Sequence, residues 1–75
     1  MMENKTFIEW WKGLTDPEKD RVSIALSADC NIALSTVRSW GYGYRKPKVR
    51  SQNIIVQYLR ENEGLNVARE TLFPS

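Results

Sequence analysis

The stretch LSADCNIALSTVRSW, which runs from Leu26 to Trp40, contains two helical patterns separated by a turn signal. Leu26 and Cys30 lie four residues apart and place apolar side chains on one face of a first helix. Asn31 follows directly, and Asn adopts the left-handed backbone conformation of a tight turn more readily than most residues. Val37 and Trp40 give the next segment an apolar stripe. The stretch therefore predicts two short helices that pack together across a turn.

Helices joined in this way form the skeleton of a helix-turn-helix, whose second helix can enter the major groove of DNA. The second helix is expected to run from about Leu34 to Trp40 or Tyr42. On a helical wheel of about 100° per residue, Val37 and Trp40 define its inward side. The opposite side is polar and free of carboxylates, and Leu34 lies on its flank. The outward side chains are Ser35, Arg38, Ser39 and Tyr42.

Apolar spacing and capping signals predict further helices. Thr15 and Glu18 have the spacing of a capping box, which marks the start of the helix before the turn. Trp11 is expected to be more buried than Trp10 because it aligns with the other apolar residues of the first helix. The expected helices span about 5–13, about 15–29 and, starting at Val49 or Ser51, a stretch that ends at Arg60. Residues 65–73 form a short helix or an extended arm. The residues of the 49–60 helix available to the core are Val49, Ile54, Ile55, Tyr58 and Leu59.

These segments together predict an all-α fold. We expect a compact bundle of four to five short helices that contains the helix-turn-helix. A chain of 75 residues has the length of one small domain, so a single domain is expected over residues 1–75. Within it, residues 62–75 form the C-terminal arm or short helix.

The composition, with 41% hydrophobic and 27% charged residues, is typical of a soluble globular protein. The chain has no histidine and one cysteine, which argues against a zinc finger, a catalytic triad and a histidine-based acid–base site. We therefore expect no enzymatic activity, metal, cofactor or small-molecule ligand. No apolar run reaches the roughly 20 residues of a membrane span, and the N-terminus lacks an apolar signal core. A lone cysteine suits a reducing compartment, so the expected location is the cytoplasm.

The distribution of charge is more informative than the formal net charge of +2. Residues 1–29 and 61–75 each carry a net charge of −2, whereas residues 30–60 carry six bases and no acid. A basic segment that includes the outward side of the second helix suits a polyanionic partner. The alternative is a solvated basic loop without a ligand. The six bases are Arg38, Arg45, Lys46, Lys48, Arg50 and Arg60.

From Leu26 to Pro47 the sequence resembles the helix-turn-helix of Cro and phage-repressor type regulators. The resemblance implies an all-α bundle of four or five short helices that binds palindromic DNA as a dimer. Three features depart from the family pattern. Ala33 stands at the cap of the second helix, where Ser or Thr is usual, and Asn31 replaces the usual Gly at the turn. The helix before the turn is also longer than the family's and begins with several acids. The matching residues are Leu26, Ser27, Cys30, Asn31, Ile32, Ser35, Thr36, Val37 and Trp40, followed by Gly43, Arg45 and Pro47.

The resemblance implies base-edge contacts from Leu34, Ser35 and Ser39, and phosphate contacts from the loop 43–48. The helical wheel adds Tyr42 and Arg38, and an arginine can donate two hydrogen bonds to one guanine. The predicted base contacts are therefore Leu34, Ser35, Arg38, Ser39 and Tyr42. The predicted phosphate contacts are Tyr44, Arg45, Lys46, Lys48 and Arg50.

The sequence thus predicts a sequence-specific protein for double-stranded DNA, and a transcriptional regulator of prokaryotic or phage type. The helix 34–42 would lie in the major groove and the loop 43–50 on phosphates. One alternative is a protein-interaction module that keeps the helix-turn-helix shape and uses its tryptophans and C-terminal apolar residues. The other is an RNA-binding protein that uses Tyr42, Tyr44 and the basic loop. For a homodimer, residues 61–75 are the candidate contact.

Overall fold

The computed structural model describes residues 4–74, so the ends of the expected domain 1–75 lie outside it. Within these residues the chain forms five helices and no strand, which confirms the all-α prediction. The Cα radius of gyration is 11.0 Å, close to the ~11 Å of a compact chain of this length. No helix in the described part of the chain is long and apolar enough to cross a membrane. The helices are α1 (Phe7–Lys12), α2 (Asp16–Cys30), α3 (Leu34–Gly41), α4 (Val49–Asn62) and α5 (Arg69–Leu72).

The first two helices begin with complete capping boxes. In α2, the Thr15 backbone N–H donates to Glu18 Oε1 at 2.8 Å, and the Glu18 N–H donates to Thr15 Oγ1 at 3.3 Å. This confirms the predicted capping box. An equivalent reciprocal pair joins Thr6 and Glu9 at the start of α1. Both helix starts therefore satisfy two of their otherwise unpaired backbone groups locally.

The turn between α2 and α3 has the predicted left-handed residue. Asn31 adopts φ 56° and ψ 52° and ends α2. Two hydrogen bonds then tie the turn to α2: the Ile32 N–H donates to the Ser27 carbonyl at 3.1 Å, and Ser27 Oγ donates to the Ile32 carbonyl at 2.6 Å. These bonds fix where α3 begins relative to α2.

The core is built around Trp11, which is fully buried, whereas Trp10 is only half-buried. This confirms the predicted difference between the two tryptophans. The α3 helix approaches the indole of Trp11 closely at Gly41, which is buried against it. Cys30 is also buried, as expected of a small apolar residue. The remaining core residues are Phe7, Val22, Leu26, Val37, Trp40, Ile55, Tyr58, Leu59, Leu65, Val67, Leu72 and Phe73.

The prediction that Val49 contributes to the core is wrong, since its side chain is 55% exposed. Val49 is the first residue of α4, and the buried face of that helix begins one turn later, at Gln52. Although polar, Gln52 is buried because its Nε2 donates to the Pro47 carbonyl at 2.8 Å. That bond fixes the end of the α3–α4 loop to α4.

The C-terminal segment combines both predicted forms. Residues 64–68 are irregular and lead into the one-turn helix α5. Four apolar residues of this segment are buried: Leu65, Val67, Leu72 and Phe73. The segment therefore packs on the core of its own chain.

Candidate nucleic-acid interface

The α3 helix divides its side chains as the helical wheel predicted. Val37 and Trp40 are buried, whereas Leu34 and Ser35 are exposed at the beginning of the helix. Leu34 keeps 39% of its surface accessible although it is apolar. These two residues form the part of α3 that is most open to a ligand.

Arg38, the one charged residue of α3, does not extend freely into solvent. Its Nη2 atom forms an ion pair with Oδ1 of Asp20 on α2. Both side chains remain partly exposed, at 38% for Arg38 and 59% for Asp20. An exposed pair of this kind contributes about 0–1 kcal/mol to stability, so a base can compete for the guanidinium.

The Tyr42 side chain, which was predicted to face outward, is held in place by contacts with two other side chains. Its ring packs edge-on against Trp11, with the ring centroids 5.8 Å apart and the planes at 79°. Nζ of Lys19 on α2 lies 5.7 Å from the Tyr42 centroid, a cation–π distance. Because α3 ends at Gly41, Tyr42 is its C-terminal cap rather than a helical residue. Its position is therefore set by packing against Trp11 and Lys19 as well as by the end of the helix.

The Ser39 hydroxyl already donates its proton in a hydrogen bond within the protein. Its Oγ donates to the Thr36 carbonyl at 2.6 Å, within the same helix. The Ser39 carbonyl also accepts the backbone N–H of Tyr44 at 2.9 Å and that of Arg45 at 3.3 Å. Ser39 therefore anchors the following loop, and its hydroxyl retains acceptor capacity only.

The loop after α3 turns at Gly43, whose φ of 84° lies in the left-handed region that favours glycine. Beyond it, Tyr44 is 84% exposed. All four cations predicted to contact phosphate, Arg45, Lys46, Lys48 and Arg50, are also exposed. None of the three ion pairs among residues 4–74 involves these four cations.

A groove of about 280 Å³ brings part of this loop together with α3 and α4. Its apolar lining residues are Ile32, Trp40 and Pro47. Its other lining residues are polar or cationic, and no carboxylate is among them. They are Thr36 of α3, Arg45, Lys46 and Lys48 of the loop, and Ser51 of α4. Arg50 and Tyr44, although predicted with them, do not line this groove.

Lys46 has a second partner inside the chain. Its Nζ donates to the Pro74 carbonyl at 2.8 Å, which joins the basic loop to the end of the C-terminal segment. This contact engages a neutral carbonyl, so the positive charge of Lys46 is not cancelled. At the end of α2, burial raises the pKa of the Cys30 thiol, which therefore stays protonated at neutral pH.

The helices in the basic segment differ from α1 and α2 at their first residues. The N-caps of α3 and α4 are Ala33 and Lys48, and neither makes a side-chain capping bond. The result at Ala33 confirms the expectation that alanine leaves the α3 cap unfilled. Backbone N–H groups at both helix starts thus have no side-chain acceptor in the described part of the chain.

The contacts of Asp20 and Lys19 with α3 were not predicted from the sequence. A helical wheel describes one helix at a time, and it carries no information about which residues of α2 lie beside α3. The acidic start of α2 was identified only as a departure from the family pattern. Comparisons with protein-family models, curated proteins and solved structures found no significant match to this chain.

Proposed function

We propose that this protein binds double-stranded DNA in a sequence-specific manner and acts as a transcriptional regulator. In this proposal α2, the Asn31 turn and α3 form a helix-turn-helix, and α3 enters the major groove. The observation that carries the proposal is the carboxylate-free groove in which α3, the basic loop and the start of α4 meet. DNA phosphates are the polyanion that such a surface accommodates beside an exposed helix.

The phosphate contacts are proposed to come from the loop and the first turn of α4. Arg45 and Lys48 are exposed groove residues without a carboxylate partner in residues 4–74, and Arg50 follows on α4. Lys46 would contribute charge while retaining its carbonyl contact. Tyr44 can add its hydroxyl, since its side chain is exposed. Such contacts position the protein on the duplex without specifying sequence.

Base readout is proposed to come from the exposed side of α3. In a helix-turn-helix the N-terminal residues of the second helix contact base edges, and here Leu34 and Ser35 occupy those positions. Leu34 suits a thymine methyl group, and Ser35 can donate or accept a hydrogen bond. Arg38 would read guanine, and Ser39 and Tyr42 would make supporting contacts.

The proposal is tested by fluorescence anisotropy with a random-sequence duplex pool at several salt concentrations. We expect affinity to fall log-linearly with salt because phosphate contacts release counterions. Lys48→Ala should reduce the salt slope by about 1, the value for one lost phosphate contact. Lys12→Ala removes an equal charge from the end of α1, outside the groove, and should leave the slope nearly unchanged. Absence of duplex binding at low salt would contradict the proposal.

One observation favours the RNA-binding alternative. Tyr42 and Tyr44 lie with their ring centroids 6.5 Å apart, and exposed aromatic rings can stack on unpaired bases. However, Lys19 lies over the Tyr42 ring, which leaves Tyr44 as the more accessible platform. Tighter binding to single strands than to the matched duplex, lost in Tyr44→Ala, would support this alternative over ours.

The protein-interaction alternative has less structural support. It relied on the tryptophans and the C-terminal apolar residues, but Trp11, Trp40, Leu72 and Phe73 are buried in the core. Trp40, Leu72 and Phe73 line a cavity of about 410 Å³ beside the basic loop.

A further inference from the structure

Two consecutive residues of α2 contact one residue on the outer side of α3 and the residue that caps its C-terminus. Lys19 lies over the ring of Tyr42, and Asp20 pairs with Arg38. Arg38 and Tyr42 are four residues apart and so lie on the same side of the chain as it leaves α3. The first half of α2 therefore lies along the proposed DNA-reading surface and contributes a negative charge to it.

The Asp20–Arg38 pair contributes little to folding because both side chains are partly exposed. Its geometry has a clearer consequence for recognition. Oδ1 of Asp20 accepts from Nη2 of Arg38, so one end of the guanidinium is occupied. The guanidinium is a rigid planar fork, and its other donors remain available in a fixed orientation. The contact with Asp20 therefore orients the long, flexible side chain of Arg38 before any base is bound.

We propose that Asp20 is a positioning residue that sets the base specificity of Arg38. This inference rests on the proposed function and deepens it. Asp20 orients the Arg38 fork so that its free donors match O6 and N7 of guanine, the pair of acceptors on one major-groove base edge. Asp20 touches no base itself; it acts through Arg38.

The same carboxylate has an opposite effect on general affinity. A negative charge beside the duplex repels phosphates of every sequence, so Asp20 weakens all complexes while it sharpens one contact. Its removal should therefore raise affinity for random DNA and lower discrimination at the base pair read by Arg38. A residue that only stabilised the fold would lower both quantities when removed.

The test uses the full chain and the duplex that it selects from random DNA. Arg38→Ala first identifies the base pair that Arg38 reads, as the position at which discrimination is lost. At that position the wild type should prefer guanine by about tenfold, the size of a good bidentate contact. Asp20→Ala should reduce the preference to within about threefold and tighten binding to the random pool by roughly two- to fivefold. Asp20→Glu should restore most of the preference.

Asp16→Ala is the matched control, because it removes the same charge from the same end of α2 without touching Arg38. It should keep the guanine preference, and thermal unfolding should show that all variants are folded. If Asp20→Ala keeps the preference, or weakens all duplexes together, the role of Asp20 is refuted while the proposed function stands. If the wild type binds no duplex, the proposed function and this inference both fail.

Discussion

At the scale of single residues, Gly41 shows most directly how packing constrains the chain. A Cβ atom at this position would collide with the Trp11 indole, coming 2.7 Å from Cγ and nearer still to Cδ2 and Cε2. The indole is fully buried and cannot move aside cheaply. The absence of a side chain therefore allows α3 to rest directly on the aromatic core.

Gly41→Ala is expected to destabilise the protein by about 1–3 kcal/mol, the usual cost of overpacking a filled core. Urea unfolding followed by tryptophan fluorescence measures the change. Gly13→Ala is the matched control, since the nearest atom there is the Trp10 carbonyl oxygen at 3.5 Å and φ is −79°. It should be neutral or stabilising by up to about 1 kcal/mol. Equal stability of Gly41→Ala and the wild type would show that the contact is not tight.

The role of Asn31 depends on local chemistry and was predicted correctly from the sequence. Asn31 has the positive φ that its turn requires. By contrast, the role of Gly41, the last residue of α3, is set by Trp11, thirty residues earlier, and was not predicted. Asp20 was missed for the same reason, because its partner Arg38 belongs to another helix. Contacts between elements are not encoded in the periodicity of either one.

At the scale of helices, the start of α3 allows the stability contributed by a capping side chain to be measured directly. Ala33 has extended backbone angles, φ −65° and ψ 145°, which suit a capping residue, but it has no side-chain acceptor. Ala33→Ser should therefore stabilise the folded state by about 1 kcal/mol through a new bond to the backbone of the first turn. Thermal or urea unfolding would detect the gain. A serine variant no more stable than the wild type would show that the helix start is already satisfied.

The capping boxes predict a dependence of stability on pH. The Thr15 backbone N–H, with a smaller contribution from the Thr15 hydroxyl, lowers the pKa of Glu18 below its ordinary value of 4.5. Thr6 lowers the pKa of Glu9 in the same way. A carboxylate whose pKa is depressed in the folded state stabilises it above the unfolded pKa, and that stabilisation is lost as pH falls through the folded value.

Unfolding measured from pH 6 down through 4.5 and below should therefore show a loss of stability in the acid range, about where glutamates titrate. Glu18→Gln should show a smaller loss over the same range, because glutamine can accept the bond and does not titrate. The same pH dependence in Glu18→Gln as in the wild type would refute the assignment.

The helix order was largely predictable from the sequence, whereas the residues that each helix buries were less predictable. The capping box and the turn signal placed both ends of α2 within a residue or two. Val49 was misassigned because an apolar residue at the first position of a helix resembles a core residue in sequence. Buried Gln52 was missed because its burial depends on the Pro47 carbonyl.

At the scale of the whole molecule, the C-terminal segment belongs to the folded core. Leu72 is 1% exposed and lies with Phe7, Trp11 and Phe73 in the same buried cluster. Leu72→Ala should cost about 2–5 kcal/mol, as expected for a cavity in a packed core. Urea unfolding measures this, with Glu70→Ala as an exposed control that should change stability by less than about 0.5 kcal/mol. A neutral Leu72→Ala would show that the segment is only loosely attached.

This packing also changes how dimerisation should be examined. Deleting residues 61–75 would remove Leu65, Val67, Leu72 and Phe73 from the core as well as any dimer contact. Light scattering of the intact chain, alone and with selected DNA, separates the two effects.

The measurement that tests sequence-specific DNA binding most directly is selection of bound duplexes from a random-sequence DNA pool by the purified full chain. We predict enrichment of a short motif that contains a guanine read by Arg38. When the Arg38→Ala variant is used for the selection, that position should lose its preference for guanine. A palindromic motif would also indicate binding as a dimer. A pool that stays random after repeated rounds, while the protein remains folded, would contradict the account.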